Sequence, residues 1–173
     1  AVMRDPAWQG GEYYDGPGPR EGLHLARQIG TITYRSGKEW DGRFARERTR
    51  PTPTDLGIDF QIESYLSYQG DRFADAYDPN SYLFISKAMD LFDLGDGAES
   101  YEAGVARIAA ETLVIGVTTD LLFPMQQQEE LARLLFDAHG RCRFFPIDSN
   151  FGHDAFLIEI EPFAELIRPF LNG

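Results

Sequence analysis

Residues 112–118 read TLVIGVT and residues 142–147 read CRFFPI, and these two runs decide the fold class. The first is short, apolar and rich in β-branched residues, the composition of a strand buried on both faces of a parallel sheet. Between the runs, residues 124–139 carry Leu131, Leu134, Leu135 and Ala138 on one helical face. After CRFFPI, a last helix is expected over about 162–171, with Pro162 in its first turn and Phe163, Ile167 and Phe170 on its stripe. Strand, helix, strand, helix is the order of an α/β fold. Two strands do not complete such a sheet, because a pair alone leaves apolar, unpaired edges. Residues 111–173 therefore read as the last strands of a larger sheet. The remaining strands are expected from sequence before Ala1 or from another chain.

The pattern changes upstream of about residue 110. Leu25, Ile29 and Ile32 recur at i, i+4 and i+7, predicting a helix over about 21–35. Ile62 and Leu66 begin a second helical stripe, with Gly70 expected to end or interrupt it. Ile85, Ala88, Met89 and Phe92 mark a third, with Asn80 as its expected N-cap and Gly95 as its stop. The stretch RTRPTPTDLGID, residues 48–59, reads as a loop. The chain opens at Ala1 without a cap or linker, which points to a piece of something longer.

Composition narrows the function classes. Of 173 residues, 28 are acidic and 16 basic, a net charge of −12, which argues against nucleic acid as partner. No apolar run is long enough to span a membrane, and no basic segment followed by an apolar one marks a signal peptide. Cys142 is the only cysteine, so no internal disulfide and no cysteine-rich metal site can form. A reducing compartment, the cytoplasm, is the expected location.

Open α/β sheets place their sites in the loops that follow the strands. TLVIGVT is followed by Thr119-Asp120-Leu121-Leu122-Phe123-Pro124, and CRFFPI by Asp148-Ser149-Asn150-Phe151-Gly152-His153-Asp154-Ala155-Phe156. An acid after one strand and a histidine after the next can meet as the base of a Ser-His-Asp arrangement and its orienting carboxylate. Asp120 would equally serve as an acid at a helix start, and His153 as a turn residue beside glycine. His24 reads as a helix-surface residue and His139 as a C-terminal helix cation beside Gly140. Three scattered histidines predict no metal site. No serine lies in a G-x-S-x-G context, and Cys142 reads as packing. A base and an acid without a nucleophile suggest that the apparatus is completed elsewhere.

Six segments together resemble one family. They are RDPAWQGGEYY (4–14), GLHLARQIGTITYRS (22–36), FQIESYLSYQG (60–70), DPNSYLFISKAMDLFDL (78–94), LVIGVTTDLLFP (113–124) and GHDAFL (152–157). The resemblance is to the C-terminal half of homoserine O-acetyltransferases, members of the α/β-hydrolase superfamily. It implies a helical lid over residues 1–108 and the C-terminal segment of the hydrolase core over residues 109–173. It further implies that Asp120 is the triad acid, that His153 is the triad base, and that Asp154 contacts the amino-acid substrate. Asp154 would otherwise be a solvated turn acid.

The serine nucleophile, the oxyanion hole and a substrate-binding arginine would lie in the family's N-terminal half. The implied reaction is ping-pong transfer of an acetyl group from acetyl-CoA to L-homoserine, with no permanently bound cofactor. The implied partners are that N-terminal half and a second copy of the chain, joined through the lid helices. Other readings stay open on the same residues: acyl transfer to water as a carboxylesterase, to serine or another alcohol, or from succinyl-CoA. A non-enzymatic interaction module is a further one, against which the unpaired sheet edges argue. Arg35, Lys38, Arg43, Arg46, Arg48 and Arg50 offer either a phosphate contact for CoA or a solvated surface. Trp8, Tyr13, Tyr14, Tyr65, Tyr68 and Tyr82 offer either a tunnel lining or packing between helices.

Overall fold

The computed structural model describes residues 1–51 and 56–173. Part of the expected loop over 48–59 therefore lies outside the described residues; its flanks meet in an antiparallel bridge between Arg48 and Phe60. The chain gathers into two compact units, residues 1–32 with 40–91, and residues 33–39 with 92–173. This grouping by contact has other bounds than 1–108 and 109–173, because it places both 33–39 and 92–108 with the strands.

The second unit holds the sheet. β1 (Thr112–Val117) and β2 (Cys142–Ile147) pair in parallel, in register from Thr112 opposite Cys142 to Val117 opposite Ile147. α6 (Met125–His139) connects them and ends at Gly140, whose φ of 65° supplies the left-handed residue that closes a helix. Alternation along the strands sorts the side chains. Val114, Cys142 and Phe144 pack with Ala132 and Leu135 of α6 and with Val105 of α5 (Tyr101–Val105). Ile115, Val117 and Ile147 pack against Ala155 and Phe163, from α7 (Ala155–Ile158) and α8 (Ile160–Asn172). Helices on both faces of a parallel sheet are what TLVIGVT predicted. Gly116 lets α6 approach: a Cβ there would stand 2.8 Å from the Met125 sulfur.

The first unit is helical. It contains most of α1 (Arg20–Tyr34) and α2 (Gly37–Arg43), together with α3 (Gln61–Ala76) and α4 (Pro79–Asp90). Several expectations need correction here. Asp78, not Asn80, caps α4, its carboxylate accepting from the Ser81 N–H, while Pro79 takes the first helical position. The helix stops at Asp90, before Gly95. Gly70 does not interrupt α3; it is buried, and a Cβ there would press within 2.9 Å of the His24 ring. His24 is accordingly no surface residue, and its Nδ1 lies 3.2 Å from Asp71. α2, α5 and α7 are too short for a periodicity to announce them.

The apolar stripes of α1 and α4 are the largest departure. Leu25, Ile29 and Ile32 are about half exposed, and Ile85 and Met89 more so. α1 instead buries Gly22, Leu23 and Thr31.

Candidate active site

The loops after β1 and β2 bring Asp120 and His153 together within the second unit. Asp120 follows the end of β1 in a turn closed by its own N–H to the Val117 carbonyl. Its Oδ1 accepts from the Leu122 and Phe123 N–H groups, at 2.8 and 2.9 Å. Its Oδ2 lies 2.9 Å from His153 Nδ1. The carboxylate is thus held by two backbone donors and buried, with its side chain 8% exposed. One oxygen closes the turn and the other faces the imidazole; the helix-start role weighed for Asp120 is not what the structure shows, since α6 begins at Met125 after Pro124 with no side-chain cap. A carboxylate at Nδ1 accepts that proton, so the neutral ring keeps its lone pair at Nε2.

His153 stands in a 3-10 turn, Gly152–Asp154, followed at once by α7, where the sequence reads as plain loop over 148–156. Gly152 opens the turn with φ of 62°, and a Cβ there would lie 2.7 Å from the Tyr34 carbonyl oxygen. Only glycine fits both the angle and the approach. Thr119 ties the two loops: its hydroxyl donates to the Ser149 carbonyl at 2.6 Å and accepts from the Gly152 N–H at 3.1 Å. The Ser36 hydroxyl donates to the Asn150 carbonyl. The rings of Tyr34, Phe123 and Phe156 surround the imidazole, with centroids 5.6, 5.1 and 6.0 Å away. A cavity of about 120 Å³ runs from Asp120 and His153 to Phe163. An imidazole oriented by a carboxylate can take and return a proton at Nε2.

Asp154, next in the chain, faces a partner that sequence reasoning did not foresee. Its Oδ2 accepts from Arg35 Nε at 2.9 Å, and Arg35 Nη1 reaches Glu39 at 2.8 Å. Arg35 and Asp154 are 119 positions apart, so no spacing could have paired them.

The remaining candidates resolve locally. In the first unit Arg43 lies over the Phe44 and Tyr65 rings, Arg46 and Arg48 over Phe60, and Arg50 against Asp59. The Tyr13 and Tyr14 hydroxyls meet Asp78, and Tyr82 packs on Phe73. His139 Nε2 meets the Ala106 carbonyl. Cys142 belongs to the core beneath α6, and burial pushes its thiol pKa up, away from the thiolate a nucleophile needs. Among the described residues, no three His, Cys, Asp or Glu side chains gather as a metal site. Nor is any helix among them long and apolar enough to cross a membrane.

Comparison with known proteins places this geometry in a family. A family model described as alpha/beta hydrolase fold matches residues 1–159. A homoserine O-acetyltransferase of Moorella thermoacetica is 46% identical over 173 residues, which cover 99% of this chain and 46% of that protein. A serine O-succinyltransferase of Stenotrophomonas maltophilia is also 46% identical, over 100% of this chain and 48% of its own length. The crystal structure of homoserine O-acetyltransferase from Bacillus anthracis superposes with a TM-score of 0.88 at 26% identity, over 99% of this chain and 46% of that one. The chain thus spans about half the length of the relatives it matches.

Proposed function

The chain belongs to the alpha/beta hydrolase fold family, and from that premise we propose that it supplies the acid and base of an O-acyltransferase. The acyl group passes from acetyl-CoA to the hydroxyl of L-homoserine, in the cytoplasm. The observation that carries the reading is the 2.9 Å contact between Asp120 Oδ2 and His153 Nδ1, which leaves Nε2 for a nucleophile. In this reading residues 1–108 are the family's inserted helical segment, and residues 109–173 end its core. The nucleophilic serine comes from sequence outside these 173 residues.

The reaction runs in two halves. His153 Nε2 takes the proton of the serine hydroxyl as its oxygen attacks the thioester carbonyl. Oxyanion-hole donors stabilise the tetrahedral intermediate. The intermediate collapses, the C–S bond breaks, and the imidazolium returns the proton to the leaving CoA sulfur. The acceptor hydroxyl then gives its proton to Nε2 and attacks the acyl-serine, and the serine oxygen leaves with that proton. Asp120 holds the ring and stabilises the imidazolium in both halves. Asp154 binds the acceptor ammonium. Arg35 occupies one of its oxygens, and a carboxylate has room for further donors.

A second reading keeps the mechanism and changes the substrates. Its support is a relative named serine O-succinyltransferase at the same 46% identity as the homoserine enzyme. The deciding experiment uses the complete enzyme, with the serine-bearing half present. CoA release from acetyl-CoA and from succinyl-CoA is followed with L-homoserine, with L-serine and with water alone. Homoserine-dependent release with formation of O-acetylhomoserine is the expected result. Release that responds to serine favours the second reading. Release indifferent to either amino acid, with rapid cleavage of simple esters, overturns both and makes the protein an esterase.

A further inference from the structure

Resting on the acyl-transfer reading, we infer that Arg35 is a positioning residue for the acceptor, fixing the Asp154 carboxylate one residue from the catalytic base. Arg35 follows the last residue of α1, and its side chain is 15% exposed. The guanidinium spans two carboxylates, Nε to Asp154 at 2.9 Å and Nη1 to Glu39 at 2.8 Å. The Glu39 side chain is 7% exposed, so the cation between the two acids offsets a burial that would otherwise be unfavourable. Glu39 is itself fixed, because its N–H donates to Ser36 Oγ at 3.1 Å. Ser36 in turn donates to the Asn150 carbonyl of the histidine loop. A planar fork locked at one end orients the carboxylate at the other, which a point charge cannot do as well.

His153 has its own supports, the Asp120 contact and the Gly152 approach to Tyr34. Loss of Arg35 therefore falls on Asp154 first and on the imidazole second. The acceptor half-reaction should suffer more than the donor half. The sign separates this role from a purely electrostatic one. If Asp154 merely supplied negative charge, removing the neighbouring cation would strengthen its hold on an ammonium. If its orientation matters, removal weakens that hold.

The test is the complete enzyme with Arg35→Met and Arg35→Lys, assayed for acceptor KM, for the burst of CoA release that reports acylation, and for thermal stability. The expected result for Arg35→Met is an acceptor KM raised about tenfold or more, with the acylation burst slowed less than about threefold. Arg35→Lys keeps a cation for Glu39 and should recover part of the loss. If Arg35→Met does not fold, a raised acceptor KM in Arg35→Lys carries the same expectation. An unchanged or lowered acceptor KM overturns the inference, as does equal loss in both halves, the mark of a structural staple. A wild-type enzyme that transfers acyl groups while its variants behave this way sinks the role of Arg35 alone. A wild type that transfers to no amino acid sinks the acyl-transfer reading with it.

Discussion

Asp120 makes separate contacts through its two oxygens, and a single-group change distinguishes them. Asp120→Asn keeps an oxygen for the Leu122 and Phe123 N–H groups but can present an amide N–H to His153. That favours the wrong tautomer, and in a triad the change lowers turnover on the order of 10⁴-fold. The complete enzyme should show this loss in steady-state rate with an unchanged circular dichroism spectrum; near wild-type turnover would remove Asp120 from the mechanism. Asp154→Asn should divide the activities instead, raising the homoserine requirement while sparing cleavage of p-nitrophenyl acetate. Equal loss in both assays would deny it contact with the acceptor. Asp120 and His153 were legible because each follows a strand end, where α/β folds place chemistry. Arg35 was not, since its role depends on a contact across 119 positions that no local pattern encodes.

At the scale of elements, two devices can be tested by substitution. Gly152 opens the histidine turn at φ of 62° against the Tyr34 carbonyl, so Gly152→Ala meets both backbone strain and a 2.7 Å approach. A loss of at least about 1 kcal/mol follows from the strain alone, and thermal unfolding of the complete enzyme reads it. Tyr13 braces the start of α4 by donating to Asp78, the residue that caps it, and by accepting from the Asn80 N–H at 2.9 Å. The Tyr13 hydroxyl holds the Asp78 carboxyl below its usual range, while burial and then Asp78 push the Tyr13 pKa up. The depressed acid stabilises above about pH 4 and loses that as pH falls through its native pKa; the raised phenol stabilises below about pH 10 and loses it as pH rises through its own. Tyr13→Phe should therefore cost about 1.5–3 kcal/mol near neutrality and less at both extremes. Denaturant midpoints at pH 3, 7 and 11 test this, and a difference flat in pH would refute the pairing. The long elements were legible from periodicity, as α1 over Arg20–Tyr34 and α6 over Met125–His139 show. The caps were not, because Asp78 and Asn80 are both good capping types and the Tyr13 contact, far in sequence, selects between them.

At the scale of the whole chain, many large apolar side chains remain exposed. β1 and β2 pair with each other and with no further strand among the described residues. Phe84, Ile85 and Met89 on α4 and Ile29 on α1 stand more than half exposed. A net charge of −12 aids solubility, yet exposed apolar side chains and open strand edges favour association. The 173 residues expressed alone should aggregate or bind a hydrophobic dye, and co-expression with the serine-bearing half should suppress both. The helical stripes call for a different occupant from the strand edges, since helices bury apolar stripes against other helices. We propose that a second copy of the chain covers them, as the resemblance to homoserine O-acetyltransferases implies. Ile29→Glu combined with Met89→Glu places two charges on those stripes, which belong to the first unit, whereas the Asp120–His153 pair and the sheet belong to the second. In the complete enzyme, light scattering after size exclusion should move from dimer to monomer, because a buried unpaired carboxylate opposes association. A dimer that survives both charges would place the interface on another face and leave the exposed stripes to the serine-bearing half.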